Sequence, residues 1–196
     1  MKTANFDKLV AEIHACRQCA AQLPFGPRPV MQASLQSQLL IVSQAPGRKV
    51  HDTGIPFNDV SGDRLREWLG IDKSVFYDAT KIAIVPMGFC FPGTSKGGDL
   101  PPRPECAPIW HPRLLPYLKQ VRLTLAVGQY ALVGLLGDRR GRTLTDTVLA
   151  WREHLAHGVL PLPHPSPRNQ LWLKRNPWFE AELLPELRKQ VKLVLH

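Results

Sequence analysis

The chemistry this sequence can offer sits in a few residues: four cysteines, a Pro/Gly turn, an aromatic followed by an acid, and one histidine. Cys16, Cys19, Cys90 and Cys106 are the only cysteines. A Cys-x-x-Cys pair with two more cysteines far downstream argues for ligands rather than structural disulfides. Four thiolates suit a tetrahedral zinc ion or a [4Fe–4S] cluster, and spacing alone does not choose between them. No cysteine is left over, which favours a metal centre above four unrelated buried thiols.

The other residues fall in two stretches. The first runs from the apolar Leu39-Leu40-Ile41-Val42 into Ser43-Gln44-Ala45-Pro46-Gly47, and then Gly54-Ile55-Pro56-Phe57-Asn58-Asp59-Val60-Ser61-Gly62. A strand that empties into such a turn and then into a helix start brings backbone N–H groups, a polar amide and an aromatic ring into one crevice. Open α/β sheets build their sites there, at the carboxyl ends of strands. The second stretch, His164-Pro165-Ser166-Pro167, follows the last apolar run and would carry an imidazole to the same end.

The elements that must position these residues can be read in order. Phe6, Leu9, Val10 and Ile13 have helical spacing over 3–15, with Thr3 or Asn5 as N-cap. Strand-type runs occupy 38–42, 81–85, 123–127 and 158–163, and the prolines of the last suit a strand end or edge. Helices are expected from Ser61 to Leu69, over 107–119 around Pro112 and Pro116, over 130–136 and near 144–150. A last helix is expected after Asn176-Pro177, kinked or divided at Pro185. Strands alternating with helices predict an α/β fold: a three-layer α/β/α sandwich on a central, mainly parallel four-stranded sheet, one domain over 1–196 with the first helix and the Cys16/Cys19 pair packed onto it.

The 196 residues, 44% apolar and 21% charged, suit one globular domain. No run has the length of a membrane span, and the first residues lack the apolar stretch of a signal peptide, so a cytoplasmic monomer is the expectation. The net charge of +9 favours a polyanion partner, although each basic cluster taken alone reads as solvated surface.

Taken together these pieces resemble the uracil-DNA glycosylase superfamily, most closely its iron–sulfur families 4 and 5. The likeness rests on the early Cys-x-x-Cys, Gln44-Ala45-Pro46-Gly47, Gly54-x-Pro56-Phe57, Ser61-Gly62, two cysteines flanking a Pro-rich loop, and His164-Pro165-Ser166-Pro167. It implies a [4Fe–4S] cluster on Cys16, Cys19, Cys90 and Cys106, with Zn2+ as the alternative. It also implies hydrolysis of the N-glycosidic bond of uracil, or a related deaminated base, flipped out of DNA. Phe57 matches the family's stacking aromatic. Ala45, Pro46 and Gly47 of the matching turn count with it as substrate-binding residues, and the backbone N–H of Gln44 and the side chain of His164 match the family's donors to the developing negative charge. Losing one such donor costs on the order of 3 kcal/mol of transition-state stabilisation.

The sequence departs from that pattern at the acid and at the base reader. Ser43-Gln44 stands where family 4 has Gly-Glu, and Ala45 where the best-known branch has Asp. Asp59-Val60-Ser61-Gly62 reproduces family 5's Asp-x-Ser-Gly run, one residue closer to the Phe. Asp59 is therefore the water-positioning candidate, with His51 and Asp52 behind it and helix capping as its alternative role. Pro86 replaces the family 4 Asn that reads uracil, so base reading passes to a residue such as Asn58 or relaxes. Ser61 and Ser166 are phosphate donors or helix caps. Arg168 and Leu171 lie where the family pushes a wedge into the duplex. Against the enzyme stands a non-catalytic iron–sulfur DNA-binding member of the same superfamily.

Overall fold

Strands that are apolar along their whole length must be covered on both faces, and the computed structural model, which describes residues 2–196, has this arrangement. In chain order the strands are β1 (Leu39–Val42), β2 (Ile82–Ile84), the short β3 (Thr94–Ser95) and β4 (Gly98–Asp99), β5 (Leu123–Val127) and β6 (Val159–Leu162). The main sheet has four strands, all parallel, in the order β2-β1-β5-β6. β3 and β4 form a separate antiparallel hairpin. Pro161 sits on the edge strand, where its missing N–H breaks no ladder on a second side.

The helices are α1 (Lys2–His14), α2 (Arg48–Thr53), α3 (Val60–Leu69), α4 (Lys73–Phe76), α5 (Cys106–Leu114), α6 (Gln129–Leu136), α7 (Leu144–Leu149), α8 (Trp151–Leu155), α9 (Gln170–Arg175) and α10 (Leu184–Leu195). Successive strand residues point to opposite faces, and two cores result. Leu39, Ile41, Leu125 and Leu160 pack with Leu65 and Trp68 of α3 and Leu187 and Val191 of α10. Leu40, Val42 and Ala126 pack with Ile13 of α1, Trp110 and Leu114 of α5, and Leu132 of α6. The sandwich is the expected one, and α1 lies on α5.

Several local expectations are corrected. Thr3 and Asn5 lie inside α1 and do not cap it, because the helix runs a full turn ahead of Phe6, its first buried residue. Residues 48–53, to which the sequence reading assigns no element, form α2; with Val50 its only buried aliphatic it has no apolar repeat to announce it. The helix expected near 144–150 is present as α7, and a second helix that was not expected, α8, follows it after a break at Ala150. The C-terminal helix does begin after Asn176-Pro177, but it is not simply kinked. A π-turn over Phe179–Leu183 precedes Pro185, widening the spiral just before the residue that has no N–H to donate.

The two-sided core makes a direct prediction. Leu125→Ala removes a fully buried side chain from the central sheet and should cost about 2–5 kcal/mol. Leu193→Ala, on the exposed side of α10, should stay within about 0.5 kcal/mol of the parent. Urea midpoints measure both.

Candidate active site and cysteine pocket

Loops at the carboxyl ends of the parallel strands enclose a cavity of about 430 Å³. Gln44, Ala45, Pro46, Gly47, Phe57, Asp59 and Ser61 line it from the first stretch, and His164 and Ser166 from the second. Asn58 does not line it; it is a turn residue whose N–H donates to the Ile55 carbonyl at 3.3 Å. His51 and Asp52 also stand outside. His51 is buried beside Phe25 and Phe91, and Asp52 is ion-paired with Arg48 at 3.0 Å on an exposed face.

Phe57 is the one non-glycine residue among those described with a positive φ, +54°. A bulky side chain there costs about 1–3 kcal/mol, so the surroundings must hold it. They do so from three sides. Its carbonyl accepts from Arg66 Nη1 at 3.3 Å and from the Tyr77 hydroxyl at 3.4 Å. Its ring meets Phe76 edge-on at 6.0 Å. Gly62 lets α3 come so close that a Cβ there would lie 1.7 Å from the Phe57 carbonyl oxygen.

His164 is held in one tautomer. The Ser166 N–H donates to its Nδ1 at 3.2 Å, so a neutral ring carries its proton on Nε2. Asn169 Nδ2 donates to the His164 carbonyl at 2.7 Å. Gly128, with φ +83°, leaves the space the ring needs, since a Cβ there would stand 3.2 Å from His164 Cβ. Burial draws the His164 pKa below 6.5, and the nearby negative charge of Asp59 opposes that fall. The ring is therefore a neutral N–H donor at neutral pH.

Asp59 serves first as a cap: its Oδ1 accepts from the Gly62 N–H at 2.8 Å and closes the start of α3. Its Oδ2 turns towards Gly47, 3.9 Å from where a side chain there would begin. Ser166 also caps, its Oγ accepting from the Arg168 N–H at 3.3 Å. Pro86 does line the cavity, an apolar surface where a base-reading amide could have stood. Gln129, which follows β5, also lines the cavity, as do residues the sequence did not reveal, namely Asp99, Tyr130 and Asn169. Asp99 lies in a polar loop with no periodicity, and only the β3–β4 hairpin brings it in.

Cys16, Cys19, Cys90 and Cys106 all line a second, small pocket together with Arg103, and all four are free thiols. Burial pushes Cys90 up to about 11 and Cys106 up to about 12, so neither is a reactive nucleophile at neutral pH. The Phe89 N–H donates to Cys106 Sγ at 3.3 Å. Arg103, ion-paired with Glu105 at 2.6 Å, keeps a buried Nε–H that has no partner among the described residues. Within those residues, no three His, Cys, Asp or Glu side chains are grouped as a single metal ion would require. A lone tetrahedral zinc would draw its sulfurs to about 3.8 Å of one another.

A sequence model of the Uracil DNA glycosylase superfamily matches residues 30–188, most of the chain. The match takes in both stretches of the cavity, Cys90 and Cys106, and begins after Cys16 and Cys19.

Two measurements probe the cavity. Gly62→Ala should lose on the order of 3 kcal/mol or more in thermal unfolding, whereas Gly97→Ala, with only Ser95 Oγ 3.9 Å away, should be close to neutral. Asp59→Asn removes the charge that supports the imidazolium. In an NMR titration His164 should therefore protonate at a still lower pH than in the parent protein.

Proposed function

The chain belongs to the uracil DNA glycosylase superfamily, whose members are generally DNA glycosylases acting on uracil-type lesions, and from that premise we propose that it excises uracil or a related deaminated base from DNA by hydrolysing the N-glycosidic bond. The observation that carries this reading is the meeting of Phe57, the 44–47 turn and His164 in one cavity. None of the described helices is long and apolar enough to cross a membrane.

A base leaving the stack costs a few kcal/mol, which contacts in the pocket offset. Phe57 supplies the aromatic surface, already fixed by the backbone around it. As the glycosidic bond breaks, negative charge builds on the base. A neutral His164 N–H in a partly desolvated site meets that charge without reorganising. The Gln44 backbone N–H acts in the same way. On the sugar side an acid must hold the attacking water, and Asp59 Oδ2 is the oxygen its capping role leaves over.

The same reading assigns the cysteine pocket to a [4Fe–4S] cluster. Four thiols, an N–H donor to Cys106 and the unpartnered Arg103 Nε–H suit a group rich in anionic sulfur better than one bare ion. When bound, such a group would tie the 16–19 turn to the ends of the 91–105 loop as a structural staple. It needs no part in the hydrolysis.

A second reading, a DNA binder that does not excise, draws on Pro86 at the base-reading position and on the capping of Asp59. Single-turnover assays on oligonucleotides carrying uracil, hypoxanthine or xanthine decide between them. The enzyme should release at least one of these bases, and His164→Ala should slow release by about 10²–10³-fold. Tight retention of uracil-containing DNA with no release, unchanged by His164→Ala, would establish the binder instead.

A further inference from the structure

We infer that Asp99, on the hairpin between Cys90 and Cys106, is the carboxylate that takes the proton of the attacking water, with Arg168 as its positioning residue; this rests on the glycosylase reading above. Asp99 stands at the mouth of the cavity, exposed on its outer side. Its Oδ2 lies 3.3 Å from the place a side chain on Gly47 would take, and Asp59 Oδ2 lies 3.9 Å from that same place. The bare backbone of Gly47 thus lets two carboxylates from distant parts of the chain converge in the cavity that His164 also lines.

The two acids are not equivalent. Asp59 has one oxygen bound to the Gly62 N–H. Asp99 has no hydrogen-bonded partner among the described residues and can turn both oxygens to water. Its hairpin is fixed by Arg168, whose Nη1 donates to the Gly97 carbonyl at 2.9 Å. The guanidinium lies where a side chain on Gly98 would be, 1.6 Å from the position of a Cβ. Arg168 comes from the loop that carries His164, so one contact sets the acid relative to the histidine.

The step balances as a hydrolysis. The water oxygen bonds to the sugar C1′ while the C1′–N bond breaks. The electron pair leaves with the base, as an anion hydrogen-bonded by His164, and the water proton passes to Asp99. Asp59 at the start of α3 and Arg168 face Asp99, with His164 in the same cavity. Burial raises the Asp99 pKa above 3.8, Asp59 adds to the rise, and Arg168 opposes it. A base must be ionised, so the rate should climb with pH through that pKa and then level off.

Single-turnover release from a uracil oligonucleotide tests this with wild type, Asp99→Asn, Asp99→Glu, Asp59→Asn and Arg168→Gln. Asp99→Asn should slow release on the order of 10²-fold, keep its affinity for the DNA, and lose the acidic limb of the pH–rate profile. Asp99→Glu should recover part of the rate, which a folding defect would not allow. Arg168→Gln should move the acidic limb to higher pH, because a positive charge that favours the carboxylate is gone. If Asp99→Asn stays within about threefold of wild type while Asp59→Asn abolishes release, Asp59 acts alone and the inference fails. If wild type itself releases no deaminated base, the glycosylase reading has failed and takes this inference with it.

Discussion

The cavity depends on a backbone conformation that its occupant would not choose. Phe57 turns through the left-handed region at φ +54°, lining the cavity with its ring edge-on to Phe76. Nothing local favours it. It persists because Gly62 admits the Phe57 carbonyl against the first turn of α3, and because Arg66 and Tyr77 satisfy the oxygen once it is there. The strain, about 1–3 kcal/mol, is offset by packing that already belongs to the core, with Phe76 on one side and α3 on the other. A pocket wall held in this way needs little rearrangement to receive a ligand, and so less binding free energy goes into ordering it.

Around that ring the sheet does the remaining alignment. In a parallel sheet every strand ends at the same side, so the 44–47 turn, Pro86, Gly128 and His164 are delivered together. Gly128 leaves the space and Ser166 the N–H that orient the imidazole. The loop from Cys90 to Cys106 links the two pockets: its ends line the cysteine site, and its tip carries Asp99 to the mouth of the cavity. The two pockets are therefore joined through one loop.

Charge is distributed unevenly between surface and site. The chain carries an excess of nine positive charges, which suits a phosphate backbone. The cavity, by contrast, gathers two carboxylates, a neutral histidine and one arginine. On the proposed glycosylase reading, a positive exterior would draw in the polyanion, while the acidic interior would suit a sugar that becomes positive as its bond to the base breaks.

Much of this was legible in the residues alone. Apolar runs alternating with helical periodicity specified the layered α/β fold, because burial on both faces leaves a pattern in every strand. The Pro/Gly turn and the histidine motif were recognisable because each follows a strand end, and strand ends converge; Phe57 and Asp59, which lie beyond α2, were singled out by their resemblance to the superfamily's motifs. Tertiary structure alone decided the rest. It tied one Asp59 oxygen to α3, turned Asn58 away from the cavity, and brought in Asp99 from an aperiodic loop. Those outcomes depend on distances between residues far apart in the chain, set by how close two backbones can come. Gly47, Gly62 and Gly98 permit that closeness, but a glycine in a sequence does not say which partner will approach it.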